Sequence, residues 1–145
     1  MKSNTLVGFL ILQLFFLACN NGDQNNNQPA NSENDIDAAR NFIQSALAGD
    51  YKKAKTFILN DSLNQQYIDA FERNYNERMN PEDKRGYREA SINIHLVNQL
   101  NDSITIVNYS NSYKNKNDSL KVVRSNGQWL VDLKYLFYQQ PDSFP

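Results

Sequence analysis

The 145-residue chain contains one cysteine, one histidine and one tryptophan. A single cysteine leaves no internal disulfide, so the folded part must be held by its own apolar core. With so little histidine and cysteine, the side chains that usually hold zinc are missing. Glycine and proline are also scarce, at 5 and 4 residues, and no glycine-rich phosphate loop occurs. The net charge of −1 points neither to nucleic acid nor to an acidic lipid surface. The lysines of "YKKAK" read as the solvated side of a helix. No apolar run reaches the ~20 residues that a membrane span requires.

The shorter apolar run that is present, Leu6 to Ala18, is interrupted only by Gly8 and Gln13 and follows a short segment charged by Lys2. That pattern is a cleavable secretory signal peptide, residues 1–18. Ordinary signal peptidase favours small residues at the third-last and last positions before the cut, and Phe16 is bulky. The stretch resembles instead a bacterial lipobox, with Ala18 and Cys19 matching and Phe16 and Leu17 departing from the usual pattern. Cys19 is the expected lipidation site and the new N-terminus. A buried CH₂ contributes about 0.8 kcal/mol, and stable anchoring takes more than one chain, which a diacylglyceryl plus an N-acyl group would supply. The expected location is the bacterial cell envelope, at the outer membrane.

Residues 19–34 are rich in asparagine and lack large apolar side chains, so they cannot offset the entropy of ordering. They read as a tether, whose mean span as a flexible coil is about 20 to 25 Å. The alternating Asp and Asn around Asp23 do not make a calcium loop, because Gln28 and Asn34 replace the turn glycine and the bidentate glutamate.

Residues 35–145 read as one α+β domain, three N-terminal helices packed on a curved antiparallel sheet of about four strands. Asn34 or Asp35 caps the first helix, whose stripe is Ile36, Ala39, Ile43, Ala46 and Leu47, and Gly49 ends it. Asp50 caps a second, with Tyr51, Ala54, Phe57 and Ile58 inward. Ser62 and Gln65 form a capping box for a third, which carries Leu63, Tyr67, Ala70, Phe71, Tyr75 and Met79. "PEDKRG" adds one turn. Beyond Tyr87 the period becomes two, with Ile92, Ile94 and Leu96 on one side, then Ile104 and Ile106. Asn126-Gly127 joins the last two strands in a type I′ hairpin.

The pattern "ARNFIQSALAGDYKKAKTFI", followed by a further helix and a terminal hairpin with Trp129, resembles the nuclear-transport-factor-like superfamily of cone-shaped α+β domains. Within it the chain most resembles the branch of unknown function found in secreted bacterial lipoproteins. Gly49, Asp50 and Trp129 carry the match, and they imply a fold and not an activity. The superfamily includes ketosteroid isomerase and polyketide cyclases, so the resemblance also implies an alternative: a small isomerase or cyclase using the cone pocket.

Such an enzyme needs an ionisable base in its pocket. His95 has the opposite strand parity from Ile92, Ile94 and Leu96, and Asp132 the opposite parity from Trp129, Val131 and Leu133, so both are expected to point away. No catalytic residue and no cofactor is therefore assigned. Phe42, Phe71, Tyr75 and Trp129 read first as core, and are the residues that would line a cone pocket for a small apolar ligand. Val97, Val107, Tyr109, Val123 and Leu130 are expected to share the outward sheet face. Such a patch would pair with a second copy or another envelope protein. Asp-Ser-aliphatic recurs at Ser62, Ser103 and Ser119. It serves as a cap or turn, and resembles an O-glycosylation sequon of some bacterial exported proteins. The expected function is a lipid-anchored, non-catalytic module that binds a small ligand or a protein.

Overall fold

A computed structural model of the chain describes residues 32–138. The expected leader 1–18, Cys19 and most of the expected 19–34 tether lie outside the described residues, as do residues 139–145. The described part is α+β, with helices, then a four-stranded antiparallel sheet, then one short closing helix.

Helix α1, Asp35–Ala48, starts where the Asn34 side chain accepts the Asp37 N–H at 2.9 Å, and Asp35 and Asp37 favour the positive end of its dipole. Its inward stripe is Ala38, Ala39, Phe42 and Ile43, all buried, and it packs across all four strands. Gly49 closes it with φ +77°, and a Cβ at Gly49 would sit 2.5 Å from the Tyr75 ring. Backbone and neighbour therefore both demand glycine there. Asp50 then caps α2, Tyr51–Ala54, accepting the Lys53 N–H at 2.9 Å. A 3-10 turn, Lys55–Phe57, delivers Ile58 beside Val131, where the Leu59 N–H donates to the Val131 carbonyl at 2.9 Å.

The capping box expected at Ser62 and Gln65 is not formed. In α3, Ser62–Arg73, the cap is Asp61, whose carboxylate accepts the Leu63 and Asn64 N–H groups at 3.1 and 3.0 Å. A charged acceptor at the positive helix end outcompetes a hydroxyl one residue later. The buried side chains of α3 are Asn64 and Ile68, whereas Leu63 is 45% exposed. A wide π-turn, Asn74–Arg78, follows α3, and within it Tyr75 is buried in the core. The "PEDKRG" turn is a full helix, α4, Pro81–Arg88, with Asn80 as cap and Pro81 in its first turn.

The sheet consists of β1 (Ile92–Asn101), β2 (Ile104–Asn111), β3 (Asn117–Ser125) and β4 (Gln128–Asp132), in that spatial order. Asn126 and Gly127 adopt φ +50° and +80°, as a type I′ hairpin requires. The helices are not all N-terminal. After Asp132 the chain turns into α5, Lys134–Tyr138, because Leu136 packs against the core and the Phe137 ring stacks on Tyr67 at 3.9 Å.

The helix-facing side of the sheet carries Val107, Leu120, Val122 and Val131, none more than 1% exposed, with Ile92, Ile94, Tyr109 and Trp129 partly buried beside them. This overturns the expected outward patch. Val97 pairs with Val107, Val107 with Leu120, and Tyr109 with Asp118, on the helix side, whereas Val123 pairs with Leu130 on the other. Strand β2 is apolar on both faces, so alternation alone does not set its phase. The phase is set by Thr105, fully buried, whose hydroxyl donates to Asp35 of α1. Ile104 and Ile106 consequently face outward. In β1 the register shifts between Ile94 and Leu96, a bulge that turns Leu96 to the outer face while Ile92 and Ile94 face the helices.

Ile68→Ala should lower unfolding free energy by about 2 to 5 kcal/mol, the usual cost of a buried isoleucine cavity. Leu63→Ala should change it by less than about 0.5 kcal/mol, as exposed positions do. Urea unfolding of the two variants measures both, and equal losses would mean that α3 faces the other way.

Candidate functional site

Two of the four side chains assigned to a cone pocket are core residues. Phe42 and Tyr75 are buried, and Tyr75 meets Tyr51 edge-on at 5.7 Å. Burial, then Tyr75, pushes the Tyr51 hydroxyl up to about 12, so it stays protonated. Phe71 and Trp129 are half-buried at the margins of that core. Phe71 faces Phe137 at 6.1 Å, and the Arg124 guanidinium lies 5.8 Å from the Trp129 ring.

His95 lies on the outer side of the sheet, with Nε2 2.8 Å from the Ser110 hydroxyl. Asp132 is also on the outer side, opposite Lys121, and is ion-paired with Lys121 at 3.6 Å and Lys134 at 3.1 Å. Ser62 and Ser103 are exposed, in the first turn of α3 and between β1 and β2. Ser119 is half-buried in β3 and donates to the Asn108 side chain at 3.3 Å. The three Asp-Ser motifs therefore differ in access, and two present a free hydroxyl.

Three polar clusters are built by tertiary contact. The first centres on Asn64, whose side chain is enclosed. It donates to Asp61 at 2.7 Å and to Asp132 at 3.4 Å, and accepts the Leu133 N–H at 2.7 Å. Lys134 completes the cluster by donating to Asp61 at 2.6 Å. That lysine, with the cap bond from Asn64, holds the Asp61 carboxyl down at about 2. In the second, Asp83 of α4 accepts from the Tyr113 hydroxyl at 2.7 Å and from Lys114 at 2.9 Å, and Lys114 lies 4.5 Å from the Tyr113 ring. Gly86 leaves room for that ring, since a Cβ there would sit 2.4 Å from it. In the third, Lys55 bridges Asp69 and Glu72 at 2.8 and 2.7 Å. A cleft of about 490 Å³ opens beside it, between Lys52, Ile58, Gln65 and Leu130, and Lys55 in its lining is already ion-paired. Lone asparagines and aspartates gave no sign of these clusters in sequence, because their partners are distant in the chain.

The two edges of the sheet differ. Strand β4 is met on its free side, at Val131, by Ile58 and Leu59. Strand β1 has no strand partner on its outer side among the described residues. Its ten residues, INIHLVNQLN, carry no lysine, arginine, aspartate, glutamate or proline. Leu96 and Leu100 are each 57% exposed, and Val97 is 37% exposed. This is an uncharged open edge some 33 Å long at the usual rise per residue. The sequence alternation in β1 hid it, because the bulge at Ile94/Leu96 turns Leu96 away from the face that Ile92 and Ile94 share.

Asp61 yields a pH test. Its folded pKa lies below the ordinary value near 3.8, so the pairing stabilises fully above about pH 4 and is lost as pH falls toward 2. Asp61→Asn should flatten the fall of melting temperature between pH 4 and pH 2, followed by circular dichroism. An unchanged slope would show that the Lys134 pair is not coupled to folding.

Comparison with protein-family models, with curated proteins and with solved structures finds no match.

Proposed function

We propose that the chain is a lipid-anchored protein of the bacterial cell envelope whose single cone-like domain is a non-catalytic interaction module, joined to a second copy of itself through β1. The observation that carries this reading is the uncharged, unpartnered β1 edge with Leu96 and Leu100 more than half exposed. An open edge offers a row of unpaired N–H and C=O groups to another strand, and native proteins usually blunt such edges with lysine or proline. Here neither is present. Because the strand bears no charge, two copies can approach antiparallel without like-charge repulsion, and the exposed leucines then gain burial. The outer sheet face extends the same surface through Ile104 and Val123, which are half-buried.

The anchor is the other half of the proposal. Cys19 follows the only strongly apolar run of the leader and precedes a long stretch without large apolar side chains, an arrangement suited to acylation and a tether. Anchoring confines the domain to a layer near the membrane and raises its effective concentration, so a modest edge contact suffices for pairing. The helix-first order and the terminal hairpin support kinship with the nuclear-transport-factor-like superfamily, as an expectation about ancestry and not about chemistry.

Cys19→Ser should abolish acyl labelling and move the protein from the membrane fraction to the soluble fraction. Unchanged fractionation would overturn the anchor.

The β1 proposal is tested separately on the full mature protein in neutral detergent. Leu96→Lys with Leu100→Lys should convert a dimer to a monomer by light scattering, with the far-ultraviolet circular dichroism unchanged. A wild-type protein that stays monomeric at the highest concentration reached would overturn self-pairing, as would a dimer untouched by the two lysines.

A further inference from the structure

We infer that the cleft between α1, α4 and the start of β1 binds a small molecule that presents an oxyanion, a carboxylate or a phosphate. The cleft has a volume of about 330 Å³, and Arg40, Gln44, Arg88 and Ser91 are among its lining residues. Leu47 and Ile92, both packed against the core, form its apolar part. No aspartate or glutamate lines it.

The two arginines line one cleft together, with no carboxylate in that lining. Lys55, Lys114, Lys121 and Lys134 each sit within 4 Å of a carboxylate. Arg40 and Arg88 have no ion pair and no side-chain hydrogen bond among the described residues, and the side chains of Gln44 and Ser91 have none either. Four polar side chains from two helices and a strand entrance thus converge on one concavity with every donor unspent. A surface arginine at the end of a helix has an ordinary explanation, since it complements the negative end of the dipole, and Arg88 lies in the last turn of α4. Arg40 has no such explanation, because it lies well before the last turn of α1, which carries no basic residue. Arg40 and Gln44 are one turn apart and so share a face of that helix.

A guanidinium presents a planar fork of N–H donors that matches a carboxylate or phosphate two bonds at a time. Two forks, one from α1 and one from α4, suit a single group with two or more oxygens, and the Gln44 amide and Ser91 hydroxyl can bond its remaining polar atoms. Leu47 and Ile92 would hold the carbon part of the molecule. The site uses the helix-facing side of the first residue of β1 and none of the exposed edge, so it stands independently of self-pairing.

Isothermal titration of the full mature protein in neutral detergent, at constant ionic strength, tests the site with inorganic phosphate and with succinate as probes. Saturable binding of at least one probe is expected. Arg40→Gln and Arg88→Gln should each weaken it about tenfold or more, the loss of one charge-assisted hydrogen bond. Both residues are exposed, so circular dichroism should be unchanged. Lys52→Gln, at an exposed cation outside this cleft, should have no effect. Absence of saturation with both probes would overturn the proposal, as would binding that survives both arginine substitutions or falls equally with Lys52→Gln. Micelles doped with phosphatidylglycerol then separate the sources of the oxyanion. Competition with the soluble probe marks a lipid headgroup, and none marks a free molecule.

Discussion

A single buried amide decides how the helix layer meets the sheet. The Asn64 side chain is fully enclosed and has partners in the cap of its own helix, in the last residue of β4 and in the backbone that follows it. Leaving such an amide unpaired would cost about 1 to 3 kcal/mol, so the start of α3, the end of β4 and the start of α5 must occupy one place together. Lys134 reinforces the arrangement by holding Asp61 and Asp132 at once. With those three points joined, α5 turns back on α3, and the Phe137 ring can stack on Tyr67.

The asymmetry of the sheet follows from the same closure. The β4 side is occupied by the chain leaving α2, where Ile58 and Leu59 lie along Val131. No comparable segment reaches β1 among the described residues, and the helices leave most of β1 uncovered. A covered edge and an open edge in one small sheet give the domain a direction. One side is met by its own chain, and the other has no strand partner among the described residues.

The charges divide in a similar way. The ion-paired lysines cross-link elements and are spent on architecture: Lys55 within the helix layer, Lys114 between the β2–β3 loop and α4, Lys121 and Lys134 around β4. Surface pairs of this kind contribute little individually, but they leave the lysines with no free donor strength for a ligand. Arg40 and Arg88, like other surface cations without a carboxylate partner, keep their donors free, and they do so in one cleft.

Much of the local structure was legible in the residues themselves. Asn34, Asp50 and Gly49 bound α1 and α2 because caps and left-handed turns depend on side chains within a few positions. Asn126-Gly127 specified its hairpin for the same reason. Trp129, Val131 and Leu133 kept their expected parity because β4 is short and has no bulge. What only the tertiary structure decided was phase and partnership. Strand β2 is apolar on both sides, so Thr105 and Asp35, far apart in the chain, had to set which face is covered. The bulge in β1 moved Leu96 to the surface, and a bulge depends on the neighbouring strand and not on its own alternation. Asn64 became a buried residue of α3 only once Asp132 and Leu133 supplied its partners. Short-range geometry is written in neighbouring residues, whereas burial depends on whatever the rest of the chain brings to that place.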